Sequence, residues 1–137
     1  ATHLIKVICQ CITKKRENIS IFGNDYDTVD GTCIRDYIHI EDLANAHLSA
    51  LDYLKSTQKS EIFNVGYGTG FSVREVIQAA KRISGVDFNV LNAPRRQGDP
   101  AKLVANANKL KELTSWCAQH NSLDEIIKTA LEWEKKL

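Results

Sequence analysis

The chain has 137 residues, of which 43% are hydrophobic and 26% are charged, with 18 basic and 17 acidic side chains. This is the length of one domain with enough apolar residues for an ordinary core, so intrinsic disorder is excluded as the main state. The net charge of +1 gives no overall basic surface for nucleic acid or for an anionic membrane. No apolar run approaches the roughly 20 residues of a membrane-spanning helix and no signal-peptide pattern is visible, so we expect a soluble, cytoplasmic protein.

The absence of methionine and the start at Ala1, inside an amphipathic pattern, favour a piece of a longer protein over a processed product. The four cysteines, Cys9, Cys11, Cys33 and Cys117, include one close pair. A C-x-C pair on a helix points in two directions and not at one metal ion. We therefore predict reduced thiols that pack in the fold.

Hydrophobic spacing predicts the elements of the first half of the chain. Apolar residues at helical spacing predict a helix over 4–12, followed by a strand over 19–22 and a long turn-rich loop over 23–31. Strict alternation predicts a strand over 36–40. A helix is predicted over 42–54, capped by the aspartate at its start.

The second half is predicted to begin with a strand over 61–65 and a glycine-rich turn over 66–70. A capping box of Ser72 and Glu75 then opens a helix that Gly85 ends. The remaining predicted elements are a strand over 88–91, a loop over 93–100, a short helix over 106–113 and a last helix that a second capping box, Ser122 with Glu125, opens. Four to five helices and about four short strands indicate an α/β or α+β fold.

The glycines at 66, 68 and 70 stand between a predicted strand and a capped helix, where backbone amides can bind phosphate. Asp87 lies about twenty residues further on, the place of a ribose-binding acid in a dinucleotide site. The spacing, however, is G-x-G-x-G and not G-x-G-x-x-G, and the third glycine precedes the capping serine. A tight turn is therefore favoured over a dinucleotide site.

Arginines occur in both long loops, Arg35 after the first loop and Arg95 and Arg96 in the second. A guanidinium group suits phosphate because it donates two parallel, charge-assisted hydrogen bonds. Two arginines from different loops could hold a diphosphate. The alternative is that these residues form surface ion pairs, Arg35 with Asp36 and Arg96 with Asp99.

The four histidines are His3, His39, His47 and His120, and their spacing is not that of metal ligands or of a catalytic triad. No metal site is therefore predicted. We expect His39 to be a hydrogen-bonded structural residue.

One long string, ISIFGNDYDTVDGTCIRDYIHIEDLANAH at 19–47, resembles the UDP-glucose (UDP-galactose) 4-epimerases of the extended short-chain dehydrogenase/reductase family. Further stretches agree in order and spacing: FNVGYGTGFSV at 63–73, APRRQGDPA at 93–101 and SLDEIIKTALEW at 122–133. The resemblance implies that residues 1–137 are the C-terminal, substrate-binding portion of a longer enzyme. Its NAD-binding Rossmann domain and its catalytic Ser/Thr, Tyr and Lys would lie outside this chain.

Enzymes of this family oxidise C4 of the sugar by hydride transfer to NAD, let the keto sugar rotate about its diphosphate, and return the hydride to the opposite face. The resemblance implies UDP-glucose and UDP-galactose as substrates, with UDP-N-acetylhexosamines as further candidates, and a homodimer as the full-length enzyme. The chain alone is expected to be inactive. A non-enzymatic UDP-sugar-binding module, or a truncated pseudo-enzyme, is the alternative.

The resemblance also implies a set of substrate-binding residues and no catalytic residue in the chain. The strand at 20–22 would lie against uridine, Arg35 and Arg96 would bind the diphosphate, and Asp99 would accept hydrogen bonds from the ribose. Leu103 matches a position near the sugar, where leucine leaves more room than tyrosine. The full predicted set is His3, Leu4, Ser20, Ile21, Phe22, Arg35, Val73, Arg96, Asp99 and Leu103.

Overall fold

A computed structural model describes residues 2–137 and shows a mixed α/β fold, which confirms the predicted class. The helices of the described residues are α1 (Leu4–Ile12), α2 (Ile40–Thr57), α3 (Val73–Ser84), α4 (Asn108–Leu113) and α5 (Leu123–Lys136). The strands are β1 (Asn18–Phe22), β2 (Ile34–Arg35), β3 (Phe71–Ser72), β4 (Asn89–Ala93) and β5 (Lys102–Leu103).

The strands form two small sheets. β1 pairs in parallel with β4, so that Phe22 lies opposite Ala93 at the ends of both strands. β2 is the middle strand of the second sheet, antiparallel to β3 and parallel to β5, with Arg35 opposite Leu103. The loop over 94–101 leaves β4 and enters β5, so it joins the end of the first sheet to the strand beside Arg35.

The main core lies where α1, α3 and α5 pack together beside β1. Each helix contributes one apolar stripe, and Ile8, Val76 and Ile127 are fully buried. Burial of side chains of this size stabilises the fold by about 1.5–3 kcal/mol each. The predicted limits of α3 are confirmed, because Ser72 accepts a hydrogen bond from the Glu75 amide and Gly85 ends the helix in a left-handed conformation with φ of 68°.

A second, smaller core joins α2 to α4 and to the segment that precedes α5. Its buried members include Ala46, Leu110 and Trp116. The indole Nε1 of Trp116 donates a hydrogen bond of 2.9 Å to the backbone oxygen of Asp42, which ties the start of α2 to this segment.

The predicted strand over 36–40 is wrong. β2 covers only Ile34–Arg35, because the side chain of Asp36 accepts hydrogen bonds from the backbone of another loop, and α2 already begins at Ile40. The predicted cap is wrong for a related reason. His39 caps α2, with Nδ1 accepting a hydrogen bond of 3.1 Å from the Glu41 amide, while Asp42 lies inside the helix and is fully buried.

The predicted strand over 61–65 is also wrong for the described residues. A strand needs a neighbouring strand to pair its backbone groups, and none of those within residues 2–137 pairs with this segment. Ile62 is 83% exposed there. The apolar residues of this segment thus indicate a local preference for strand, but no neighbouring strand in this part of the chain pairs with it.

All four cysteines have free thiols, as predicted, and Cys9, Cys11 and Cys33 are buried. Cys117 is exposed, so the expectation of packed thiols is wrong at that position. Burial raises the pKa of the Cys9 thiol to about 11, so this side chain behaves as a small apolar group. Within residues 2–137, none of the helices combines the length and the apolar character that crossing a bilayer requires.

Candidate nucleotide-binding site

A cleft of about 510 Å³ opens between the start of α1, the end of β1, β2 and the loop over 94–101. Leu103 is the one predicted site residue that does not line it. This residue lies in β5 beside Arg35 and is 60% exposed. The predicted residues that line the cleft are His3, Leu4, Ser20, Ile21, Phe22, Arg35, Val73, Arg96 and Asp99.

The guanidinium groups of Arg35 and Arg96 converge on one carboxylate in this cleft. Nη2 of Arg35 lies 3.6 Å from Asp99 Oδ1, and Nη2 of Arg96 lies 3.0 Å from Asp99 Oδ2. Of the two surface pairs considered from the sequence, the pair of Arg96 with Asp99 is present. Asp36 does not pair with Arg35, because its carboxylate is occupied by backbone amides.

Backbone groups hold Arg35 in place. Its Nη1 donates hydrogen bonds of 2.8 Å to the backbone oxygens of Ile34 and Pro100. These bonds join β2 to the end of the loop over 94–101, so the fold fixes the guanidinium without help from Asp99.

Phe22 ends β1 with an aromatic ring that is 41% exposed at the cleft. The guanidinium carbon of Arg96 lies 4.8 Å from the centre of this ring, a cation–π arrangement. The cleft thus combines an accessible ring with two fixed cationic groups. Such a surface suits a ligand that has a flat base and an anionic chain.

Arg95 faces the loop over 23–31 and not the cleft. Its Nε donates a hydrogen bond of 2.7 Å to Asp25, and its guanidinium carbon lies 4.1 Å from the ring centre of Tyr26. The hydrogen bond from Arg95 holds the pKa of Asp25 below its usual range. The chemistry of the two neighbouring arginines is the same, and only the resemblance selected Arg96; the structure gives them different partners.

Residues that the sequence did not single out fix the loop over 23–31 to the start of α3. The carboxylate of Asp30 accepts hydrogen bonds from the backbone and hydroxyl of Thr32, at 2.9 and 2.7 Å, and from the Ser72 hydroxyl. Burial would raise the pKa of Asp30, but the hydrogen bonds from Ser72 and Thr32 outweigh it and lower this pKa. The D-G-T triplet, an aspartate two residues before a threonine, is the sequence signal for this turn.

The glycine-rich turn does not fit the pyrophosphate of NAD. The Asp36 carboxylate accepts hydrogen bonds from the amides of Tyr67, Gly68 and Ala105 at 3.0, 2.9 and 3.3 Å. A Cβ on Gly66 would lie 2.6 Å from Asp36 Oδ2, so this glycine serves the close approach of the carboxylate. The amides that would face a phosphate are therefore occupied, and the predicted tight turn is the observed structure.

Further residues that line the cleft include Arg16, Cys33 and Tyr37. Arg16 ends the basic run after α1, and its Nε donates to the backbone oxygen of Asn18 at 3.2 Å. Burial raises the pKa of Tyr37 to about 12, so the phenol keeps its proton at neutral pH. Spacing gave no signal for Cys33 or Tyr37, because neither residue belongs to a motif of its own.

His39 is the hydrogen-bonded structural residue that the sequence predicts. It caps α2 through Nδ1, and its Nε2 lies 3.0 Å from the Thr129 hydroxyl. His47 lies on α2 with Nδ1 2.8 Å from the Leu43 oxygen, and His3 lines the cleft.

Comparisons with known proteins agree with the motifs. Residues 1–66 match the model of the NAD dependent epimerase/dehydratase family. The chain is 50% identical to the UDP-glucose 4-epimerase of Azospirillum brasilense over 137 residues, 100% of this chain and 39% of the relative. It is 44% identical to that of Halalkalibacterium halodurans over 98% of this chain and 40% of the relative.

Solved structures of this class have the same fold. The UDP-Glc/GlcNAc 4-epimerase from Campylobacter jejuni superposes with a TM-score of 0.89 at 57% identity, covering 100% of this chain and 41% of that one. UDP-glucose 4-epimerase from Stenotrophomonas maltophila, with bound NAD and formylated UDP-arabinopyranose, gives a TM-score of 0.93 at 36% identity, covering 99% of this chain and 40% of that one.

The fold and these matches show that the chain is similar to one portion of proteins of the NAD dependent epimerase/dehydratase class. Within that class, the resemblance to UDP-glucose 4-epimerases is confirmed along the whole described chain. The chain spans about 40% of the length of the curated relatives that it matches.

Proposed function

We propose that this chain is the C-terminal, UDP-binding portion of an NAD-dependent UDP-glucose 4-epimerase that interconverts UDP-glucose and UDP-galactose. One observation carries the proposal: Arg35 and Arg96, which are distant in sequence, meet at Asp99 in a single cleft. A pyrophosphate offers both guanidinium groups one anionic target, and charge-assisted hydrogen bonds of this kind are strong.

The uridine end of the ligand would lie along β1. β1 pairs with β4 on one side, and no other strand of residues 2–137 pairs with its opposite edge. Ser20 and Ile21 of β1 line the cleft, and in this proposal their backbone groups would bond the imide edge of uracil. Phe22 would add contact with the base, and Asp99 would accept hydrogen bonds from the ribose hydroxyls.

The chemical step would belong to the rest of the enzyme. NAD would supply the hydride acceptor, and its pyrophosphate would bind outside this chain because Asp36 occupies the amides of the glycine-rich turn. The catalytic Ser/Thr, Tyr and Lys of the family would also lie there. The role of residues 2–137 would be to hold the diphosphate still while the sugar presents either face to the nicotinamide.

Finer features of the proposal concern the sugar, the assembly and the cellular compartment. Leu103 follows Lys102 in β5 and lies opposite Arg35, where a side chain smaller than tyrosine leaves room for an N-acetyl group. The dual name of the Campylobacter jejuni relative, UDP-Glc/GlcNAc 4-epimerase, supports UDP-N-acetylhexosamines as further substrates. We propose a homodimer for the full-length enzyme by resemblance, and the cytoplasm because all four thiols are free.

The experiment is calorimetric titration of UDP into the full-length enzyme and its Arg35→Ala and Arg96→Ala variants. We expect each variant to weaken binding by about 2 kcal/mol, about 30-fold in Kd, because a phosphate loses a charge-assisted partner. Arg82→Ala is the matched control, since Arg82 forms an exposed pair with Asp124 at 2.6 Å and does not line the cleft. Wild-type affinity in both cleft variants would refute the proposed site.

Activity separates the epimerase from a binding module or pseudo-enzyme. The full-length protein should convert UDP-galactose to UDP-glucose, and the purified 137-residue chain with added NAD should not. Tight UDP binding by the full-length protein without turnover would favour the non-enzymatic alternative. Turnover by the chain alone would contradict the division of labour.

A further inference from the structure

Each nitrogen of the His120 ring faces a carboxylate. Nδ1 lies 2.7 Å from Glu125 Oε1, and Nε2 lies 3.0 Å from Glu41 Oε2. A neutral imidazole has one N–H donor and one lone pair, so it can satisfy only one of these acceptors. In the imidazolium ion, Nδ1 donates a hydrogen bond to Glu125 and the positive ring forms an ion pair with the Glu41 carboxylate, so the geometry fits a protonated ring.

The two carboxylates belong to the first turns of different helices, Glu41 to α2 and Glu125 to α5. The backbone of His120 is held at the same junction, because its N–H donates a hydrogen bond of 2.9 Å to Asp42, and its carbonyl oxygen lies 3.2 Å from the Tyr67 hydroxyl oxygen. We propose that the His120 imidazolium is a proton-dependent clamp, which holds the starts of α2 and α5 together and loosens when the ring loses its proton.

A neutral histidine stacks on this ring. The ring centres of His39 and His120 are 4.6 Å apart with an angle of 27° between their planes. His39 accepts the Glu41 amide hydrogen at Nδ1, so its own proton is on Nε2, facing the Thr129 hydroxyl. Protonation of His39 would break the cap of α2 and stack two cations, so the proton of this cluster belongs to His120.

The same tautomer argues against a metal ion. Ligand atoms of His39, His120 and Glu125 lie within 4.8 Å of one another, close enough to surround a cation. To bind it through Nε2, however, neutral His39 would have to move its proton to Nδ1, where the Glu41 amide already donates. Binding of a metal would therefore break the hydrogen bond between the Glu41 amide and His39 that caps α2, whereas a proton on His120 leaves this hydrogen bond in place.

The charges around His120 set the direction of its pH dependence. The hydrogen bond to Glu125 is the largest cause that raises the pKa of His120, burial opposes it, and the charges of Glu41 and Asp42 add to the rise. The pKa of His120 is thus higher in the folded state than in the unfolded state. The clamp therefore stabilises the folded state fully at pH values below the ordinary histidine pKa, and this stabilisation is lost as the pH rises through the pKa of the folded state. The titratable groups that face the ring are Glu125 from α5, Glu41 and Asp42 from α2, His39 before α2 and Tyr67 from the glycine-rich turn.

The first test is NMR of the intact protein with ¹⁵N-labelled histidine. We expect both ring nitrogens of His120 to carry hydrogen at neutral pH. We also expect the pKa of this ring to lie above that of an ordinary histidine. Glu125→Gln should lower the pKa of His120, and adding Glu41→Gln in a double variant should lower this pKa further. Glu132→Gln on the exposed side of α5 is the matched control and should leave it unchanged. A His120 ring with one N–H at neutral pH would overturn the proposal.

The second test compares thermal unfolding from about pH 5.5 to about pH 9. The loss of Tm in His120→Gln relative to the wild type should be largest at the acid end and should shrink towards the alkaline end. His120→Arg, a fixed cation, should keep its Tm difference from His120→Gln across the range. A loss that does not vary with pH, or stoichiometric Zn²⁺ binding that His120→Gln removes, would overturn the proposal.

Discussion

Asp42 is a fully buried carboxylate whose partners all come from other segments. Its Oδ1 accepts the Gln119 amide at 2.9 Å, and its Oδ2 accepts the His120 amide at 2.9 Å and the Tyr67 hydroxyl at 2.5 Å. Burial alone would raise the pKa of Asp42, but these hydrogen bonds lower it. The residue therefore joins α2 to the segment before α5 as an ion, and Asp42→Asn changes its hydrogen bonding with little change in shape.

The magnitude follows from the number of donors. An asparagine can place its single oxygen at the Oδ2 position and keep Tyr67 and His120, but its NH₂ group then faces the Gln119 amide. The Gln119 amide loses its acceptor and faces a second donor beside the buried side chain, which costs about 1–3 kcal/mol. Asp42→Ala removes the acceptor of all three donors. It should therefore lower the free energy of unfolding by more, about 3–5 kcal/mol, the range for breaking a buried charged network.

The assay is urea unfolding monitored by tryptophan fluorescence, since Trp116 donates to the Asp42 backbone and reports on this junction. Asp52→Asn, the same change on an exposed position of α2, is the control and should alter the free energy of unfolding by less than about 0.5 kcal/mol. An Asp42→Asn variant as stable as the wild type would refute the reasoning that three donors depend on this buried carboxylate.

Two further predictions concern the core and the second sheet. Glu134 is buried at the end of α5. It accepts hydrogen bonds from Lys6 at 2.5 Å and from Lys15 at 3.1 Å, and these bonds lower its pKa although burial acts in the opposite direction. The ionised Glu134 side chain therefore stabilises the fold at neutral pH, and this stabilisation is lost as the pH falls through the lowered pKa. Glu134→Gln should accordingly flatten the acid side of the profile of Tm against pH. A Cβ on Gly70 would lie 2.3 Å from Ile34 Cγ2, so Gly70→Ala should reduce the free energy of unfolding in urea by about 1–3 kcal/mol. Gly85→Asn, with open space around it, should change it by under about 1 kcal/mol, and equal effects of both substitutions would contradict the steric argument.

The sequence predicts best the elements that carry their own local signals. The helix over 73–84 has an apolar stripe, a capping box at Ser72 and a glycine at its end, and the structure shows all three. The last helix also begins at Ser122, but Glu125 turns its carboxylate to His120 and does not complete a capping box. A local pattern cannot predict this, because the competing partner depends on how the segment before α5 folds back.

The strands show the opposite limit. β2, β3 and β5 have two residues each, too short for any periodic signal, and they exist only because distant segments pair. The largely apolar run over 61–65 favours a strand but has no strand partner within residues 2–137. Backbone pairing is a non-local property, so alternation predicts a preference for strand and does not predict whether a ladder forms.

The family resemblance named nine residues that line one cleft and one, Leu103, that does not, and it could not predict which side chains contact one another there. Spacing could not show that Arg95 turns to Asp25 while Arg96 enters the cleft, since the two residues are neighbours with the same chemistry. Nor could it show that Asp36 is committed to the amides of Tyr67 and Gly68. Both outcomes depend on which loops meet, and the sheets decide that.

The contacts of Arg35 show how its ion pair with Asp99 could give way to the proposed phosphate ligand. The separation of 3.6 Å between Arg35 and Asp99 exceeds a normal hydrogen bond, so a phosphate can replace this contact at little cost. The two bonds of 2.8 Å from Nη1 to backbone oxygens do not depend on Asp99 and keep the guanidinium in position. Because the guanidinium is ordered before the ligand binds, binding loses less side-chain entropy at this residue. Arg35 is therefore the residue at which loss of a side chain should be felt most directly in UDP affinity.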